Sequence, residues 1–302
     1  MTRSIGVIGV PTSAGAFAPG QERAPRALRE AGLLESLRER RLAVHDHGDR
    51  PTWRWRPDRE SPRAQNLAAV VEIVRETANR VAEAADAGEM TLVLGGDCTV
   101  GIGTVAGHVR RGASLGLVYF DAHADLNVPE SVHEGALDWM GVAHMLGEPG
   151  ACPPLVGAGG RTPLLEPEQV VLLGWDERQA TALERATIER NGIGAVPLVD
   201  VEAGPDAAAE HALELLPESC DRVLVHFDVD VIDFTEMPLS EHPGRNEGLA
   251  YGPAMRALST LLADARFAGM TVTELNPDHA ESPTSLEEFA RALADALTGS
   301  VA

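Results

Sequence analysis

Apolar runs of strand length alternate with stretches of helical spacing along the whole chain. Ser4–Val10, Leu42–Asp46, Met90–Leu94, Leu115–Phe120, Val170–Gly174, Ala195–Val199, Val223–Asp228 and Gly269–Leu275 read as strands, several of them apolar at consecutive positions, as in a strand buried on both faces. Helical periodicity covers Ala24–Arg40, Gln65–Ala87, Val100–Arg111, Leu137–Leu146, Glu177–Asn191, Ala207–Leu216, Pro253–Ala265 and Ser285–Leu297. The segment Trp53–Arg63, with two Trp, two Pro and several Arg, reads as an irregular excursion, and the Pro- and Gly-rich Ala151–Pro163 as a loop. Strands separated by helices imply a mostly parallel sheet of about eight strands covered on both faces. The expected fold is therefore α/β: a single three-layer αβα domain over residues 1–302, its ligand site beyond the carboxyl ends of the strands.

Composition narrows the class of partner. The chain carries 25 Lys and Arg against 46 Asp and Glu, a formal charge of −21. Such a field repels nucleic acid and anionic membrane and attracts cationic small molecules. Three scattered cysteines, Cys98, Cys152 and Cys220, are too few for a disulfide framework and suit a reducing compartment. With no apolar run of membrane-span length and no signal peptide, a cytoplasmic location is expected.

Candidate chemistry begins at Val118–Asp125, V-Y-F-D-A-H-A-D, where an apolar strand ends and Asp121, His123 and Asp125 follow at steps of two. That period turns all three to one side of an extended segment, where clustered acceptors need a partner charge such as a divalent cation. Taken alone, the run is equally well a polar loop. Far along the chain, Arg222–Asp230, R-V-L-V-H-F-D-V-D, is a second apolar strand ending in carboxylates two apart, Asp228 and Asp230. Facing each other, the two clusters offer an oxygen-rich, nitrogen-poor donor set. It suits Mn²⁺ or a similar ion rather than a structural zinc, and its charge calls for two ions.

Four motifs in order carry a resemblance over nearly the whole length: G-G-D-C-T at Gly95–Thr99, D-A-H-A-D at Asp121–Asp125, H-F-D-V-D at His226–Asp230 and E-L-N-P at Glu274–Pro277. They resemble the motifs of the arginase–agmatinase (ureohydrolase) superfamily. The resemblance implies a metal-dependent amidinohydrolase that cleaves a C–N bond of a guanidino or amidino compound and releases urea, or an analogue such as hydroxyurea, and an amine. It implies two divalent ions, one held by Cys98 and Asp125, the other by His123 and Asp230, with Asp121 and Asp228 bridging both. Asp125 would carry a proton to the leaving amine, and Glu274 would hold the planar cation through paired, charge-assisted hydrogen bonds. Relatives commonly assemble as trimers or hexamers, so a homo-oligomer is expected.

Departures from the family pattern bear on the substrate. Cys98 stands where the family has a histidine ligand; a thiolate there would lower the Lewis acidity of its ion and could favour Fe²⁺, Co²⁺, Ni²⁺ or Zn²⁺ over Mn²⁺. A buried cysteine that ligates nothing is the competing reading. A branch of the superfamily acting on N-hydroxyarginine looks similar at this position. After Asp125 the loop keeps Asn127, but Glu134 replaces a serine that helps bind an amino acid's carboxylate, and Asp138 replaces a proton-shuttling histidine. A carboxylate facing a carboxylate argues against L-arginine bound in the arginase manner. His133 is a candidate for the shuttle, with a solvated loop histidine as its other reading. Gln179 stands near the position of an aspartate that contacts the α-amino group in arginases. Asp233 is placed behind the ligands, His226 in the core, and His279 nearest the pocket among the unassigned histidines. The alternatives are a formimino hydrolase, which would release formamide, and a homologue that has lost catalysis and serves in binding or regulation. A deacetylase is disfavoured, since that chemistry uses one zinc and a His-rich site.

Overall fold

Strands that are apolar on both faces must be covered on both faces, and this requirement organises the molecule. The computed structural model describes residues 4–110, 112 and 114–299. Its strands are β1 (Ser4–Gly9), β2 (Ala43–Asp49), β3 (Met90–Leu94), β4 (Leu115–Phe120), β5 (Val170–Trp175), β6 (Gly194–Pro197), β7 (Arg222–Asp228) and β8 (Phe267–Thr273). They form one sheet of 8 strands in the order β2-β1-β3-β8-β7-β4-β5-β6. Every neighbouring pair is parallel. The central strands β3 and β4 bury every side chain, whereas β2 lies at an edge and reads A-V-H-D-H-G-D.

The helices are α1 (Ala24–Glu30), α2 (Leu33–Glu39), α3 (Leu67–Asp86), α4 (Val100–Val109), α5 (Gly141–Leu146), α6 (Pro153–Val156), α7 (Ala182–Asn191), α8 (Leu198–Ala203), α9 (Pro205–Leu215), α10 (Tyr251–Leu262) and α11 (Pro283–Gly299). Their apolar faces divide between two clusters, α3 to α7 packing on one face of the sheet and α1, α2 and α8 to α11 on the other. The result is a three-layer α/β architecture. No helix among the described residues is long and apolar enough to cross a membrane.

Several boundaries differ from the sequence reading, each for a local reason. The helix expected over Ala24–Arg40 is two helices, because Gly32 at φ 83° turns left-handed between them. Glu177–Asn191 is helical only from Ala182: Thr181 caps it, accepting from Glu184 N, while the Glu184 side chain accepts from Thr181 N. The strand expected to reach Val199 ends at Pro197, and α8 follows. Within the expected loop Ala151–Pro163, Pro153 opens the single turn α6. Of Leu137–Leu146, only α5 is α-helical, preceded by a 3-10 turn over Asp138–Met140. Arg111, the expected end of α4, lies outside the described residues, as do positions 1–3 and 300–302.

Strand order places the chemistry. The four adjacent strands β3, β8, β7 and β4 all end at one rim. Phe120 pairs with Phe227, so Asp121 and Asp228 leave the sheet side by side, and Asp228 pairs with Thr273, which puts Glu274 next to them. The turn after β3 closes tightly on the first loop: a Cβ at Gly96 would lie 1.6 Å from the Thr12 carbonyl oxygen, so only glycine fits. Across this turn Glu274 N donates to Gly96 O at 2.8 Å.

Candidate metal centre

Asp121 and His123 both lie beyond the end of β4, in a bend rather than in the extended segment that the period-two spacing predicts. Asp121 is 1% exposed, and its Oδ1 accepts from His123 N at 2.6 Å. His123 Nδ1 lies 3.1 Å from Asp230 Oδ2 and 3.4 Å from Asp121 Oδ1. The second cluster is braced in the same way, Asp230 N donating to Asp228 Oδ1 at 2.8 Å. Asp121 Oδ2 and Asp230 Oδ1 are buried and have no hydrogen-bond partner among the described residues. A buried carboxylate oxygen left unpaired is costly, so two together point to a cation.

Cys98 enters from the turn after β3. Its thiol donates to Asp228 Oδ2 at 2.8 Å, and its Sγ lies 3.3 Å from both His226 Nε2 and Thr273 Oγ1. Two sets of ligand atoms each fall within 4.8 Å of one another: Cys98, Asp121, His226 and Asp228, and Asp121, His123 and Asp230. Asp125 stands beside the first set, its Oδ2 held by the Tyr119 hydroxyl. Both Asp125 (φ 49°) and Glu274 (φ 59°) adopt the left-handed region that side chains avoid, a strain that the packing around them maintains.

The electrostatics show one kind of imbalance throughout. Burial pushes Asp121 up, to about 7, with Asp230 adding to the effect. Burial, followed by neighbouring carboxylates, also raises Asp125, Asp228, Asp138 and Glu274, and raises the Cys98 thiol. Burial alone would depress His123, but Asp230 and Asp121 outweigh it and hold the ring well above its usual value. For Asp230, His123 outweighs burial and holds the carboxyl down. This much crowded negative charge fits divalent cations, and the two clustered sets of donors, with Asp125 beside the first, are the groups that could hold them.

Beside these groups a cavity of about 250 Å³ exposes Glu274, Asp138, Asn127 and Gln179. Glu274 Oε1 accepts from Cys98 N and Oε2 from Gln21 Nε2, each at 2.9 Å. Asp138 is 4% exposed and is set from the opening loop: Gly15 O accepts from Leu137 N at 2.7 Å and from Asp138 N at 3.1 Å, while Gly15 N donates to Asp97 Oδ2 at 3.0 Å. Asn127 Oδ1 accepts from Ser131 Oγ and Thr181 Oγ1, each at 3.0 Å. Gln179 Oε1 lies 3.2 Å from His123 Nε2.

Other expected residues fall elsewhere. His133 and Glu134 are exposed and do not line the cavity, so neither the shuttle expected of the first nor the substrate contact expected of the second is supported by position. The reason is local: Gln65 N donates to Gly135 O at 2.9 Å and Gln65 Nε2 to Glu134 O at 2.6 Å, pinning this loop outward, and Glu134 Oε2 turns back onto His133 N. Asp233 braces its own loop, accepting from Thr235 N and Glu247 N at 2.8 Å each. His279 points away, its Nδ1 2.7 Å from Ser240 O. His242 lines the cavity instead, edge-on to His123 at 5.6 Å. Sequence reasoning missed it and its neighbour Glu241, whose only signal was a polar Glu-His-Pro run beyond the second cluster. It also missed Gln21, which carries no motif. His226 is a core residue as expected, yet its Nδ1 has no hydrogen-bond partner among the described residues.

With this geometry in view, the likeness to known proteins is extensive. The model of the arginase family matches residues 3–298. Arginase-1 of Homo sapiens is 31% identical over 299 residues, which is 98% of this chain and 91% of the relative. The arginase of Bacillus caldovelox is 32% identical over 278 residues, 91% of each chain. The crystal structure of arginase from Bacillus subtilis aligns with a TM-score of 0.87 at 28% identity, covering 98% of both chains. Matched by the family model and by these relatives over nearly all its length, the chain belongs to the arginase family.

Proposed function

We propose that this chain, a metal-dependent amidinohydrolase, hydrolyses a C–N bond of a small cationic guanidino compound, giving urea or a urea analogue and an amine. One observation carries the reading: two buried carboxylate oxygens, Asp121 Oδ2 and Asp230 Oδ1, that have no partner among the described residues, beside a cavity that also exposes the Glu274 carboxylate. Cys98 and Asp125 would hold one ion and His123 and Asp230 the other, with Asp121 and Asp228 shared. Manganese suits the oxygen-rich side, and the sulfur of Cys98 favours Fe²⁺, Co²⁺, Ni²⁺ or Zn²⁺ on its own side. Such ions supply Lewis acidity and bring the pKa of water toward neutrality.

The remaining work belongs to side chains. Glu274, its two oxygens aimed by Cys98 N and Gln21, binds the flat cation, whose charge relieves the repulsion among the buried carboxyls. Burial, with Glu274 beside it, keeps Asp138 well above the ordinary carboxylate range. From the cavity wall it is placed to carry a proton to the leaving amine, with Asp125 as the second carrier. Asn127 and Gln179 meet the far end of the substrate. Because Glu134 does not line the cavity, it places no negative charge against a carboxylate there, and amino-acid guanidines stay within the substrate class.

The test is a screen of guanidino compounds, L-arginine, N-hydroxy-L-arginine and agmatine among them, with metal-loaded protein. Release of urea or hydroxyurea is expected. Two bound ions per chain with no turnover of any guanidine would sink the hydrolase reading, and formamide from a formimino compound would reassign it. Cys98→Ala should lose metal from one site; unchanged metal content would remove Cys98 from the donor set.

A further inference from the structure

Cys98 does not face the site alone. Its sulfur is bracketed by two groups from neighbouring strands, His226 of β7 and Thr273 of β8, both 3.3 Å away. The thiol has one hydrogen, and the 2.8 Å contact to Asp228 Oδ2 claims it. At the two longer contacts the sulfur can therefore only accept.

Which imidazole nitrogen carries the hydrogen follows from what surrounds the ring. Nδ1 is buried without a partner among the described residues and faces Gly101, where even a Cβ would come within 2.6 Å. A hydrogen there would be an orphaned buried donor, costlier than an unused acceptor, so the hydrogen is assigned to Nε2. Nε2–H then points between Thr273 Oγ1 at 3.0 Å and the sulfur, and the Thr273 hydroxyl hydrogen is left for the sulfur. The same tautomer argues against the ring as a direct ligand, since a ligating Nε2 would require the hydrogen on Nδ1, which meets no acceptor among the described residues. Tyr119 stacks on the ring at 4.1 Å and 6°, and its hydroxyl holds Asp125, so one aromatic pair steadies both donors of the Cys98 side.

We propose that His226 and Thr273 form a hydrogen-bonding bracket that orients the Cys98 sulfur toward a metal ion and tempers its electron donation. Hydrogen bonds to a ligating sulfur withdraw density from it, and such outer partners tune the ion. The bracket offsets what the sulfur would otherwise take away: a bare thiolate suppresses Lewis acidity, and two donors bring it back toward the strength of a neutral imidazole. His226 and Thr273 are positioning residues here. The inference rests on the metal-centre reading above.

The experiment is titration of the metal-free protein with Co²⁺, followed by absorption and metal content. Expected is a sulfur-to-cobalt charge-transfer band in the near ultraviolet that Cys98→Ser abolishes. His226→Phe keeps the stacked ring and removes the donor; Thr273→Val is close to isosteric and removes the hydroxyl. Each should move the band to longer wavelength with cobalt stoichiometry unchanged, and Thr273→Val carries the test if His226→Phe does not fold. A band that neither substitution moves overturns the bracket. Loss of one cobalt per chain in His226→Phe overturns it too, making the ring a ligand. Cobalt bound without any charge-transfer band removes Cys98 from the centre and the bracket with it, leaving the hydrolase reading standing. No cobalt uptake by the unsubstituted protein overturns the metal centre itself.

Discussion

Glu274 is the residue on which the proposed binding of a cation turns. Its carboxylate is buried, already aimed by two hydrogen bonds, and absent from both sets of clustered metal donors. Glu274→Gln keeps the shape and removes the charge, which for a buried, hydrogen-bonded ion pair is worth roughly 2–5 kcal/mol. Expected is a fall in kcat/KM of about thirtyfold or more with metal content unchanged, measured by urea release and metal analysis; loss of metal alongside activity would instead make Glu274 part of the centre. At this scale the sequence was readable where polar residues follow closely on the end of an apolar strand, as for Asp121 with His123 after β4 and Asp228 with Asp230 at the end of β7. It was not readable where a loop decides which way a side chain turns. His133 and Glu134 sit at the right spacing yet face outward because Gln65, distant in the chain, holds the backbone at Glu134 and Gly135. Gln21 and His242 reach the site through contacts that no local pattern announces.

At the scale of elements, the sheet and most helices were legible because consecutive apolar positions and helical periodicity leave few other arrangements. Helix boundaries were less so, depending on single residues such as Gly32 and Thr181 whose capping geometry outweighs the apolar pattern. The edge strand β2 shows how its polar residues are used. His45 Nδ1 and His47 Nε2, two apart and so on one face, both contact the carboxylate of Glu89, the second at 2.7 Å, tying β2 to the residue before β3. Burial alone would raise Glu89, but the two histidines outweigh it and hold the carboxyl below its ordinary value. A carboxyl depressed in the folded state contributes stability that is present above its unfolded value of 4.5 and is lost as pH falls through the folded one. Glu89→Gln should therefore destabilise by about 1 kcal/mol near neutral pH, and the difference from the unsubstituted protein should vanish in acid. Denaturant melts at both pH values check this; a difference that persists in acid would mean that Glu89 acts by packing.

For the whole molecule, the excess of negative charge works over distances that no single contact reaches. With a formal charge of −21 and its candidate carboxylates gathered at one rim of the sheet, the protein should draw a cationic guanidine toward the cavity. Screening shortens that reach, so kcat/KM for a cationic substrate should fall as ionic strength rises, while kcat stays nearly constant. Steady-state kinetics across a salt series decide the point, and a salt-independent kcat/KM would confine electrostatics to the site. One wall of that cavity is also governed from far away in sequence. Gly15 ties Asp138 with its carbonyl and Asp97 with its amide, so the opening loop sets where Asp138 stands in the pocket lining. Inserting or deleting a residue between Pro11 and Gly20 would reset the gap between Asp138 and Glu274 while every donor atom kept its identity. A protein built this way can change the length of molecule it accepts by editing a stretch that carries no chemistry of its own.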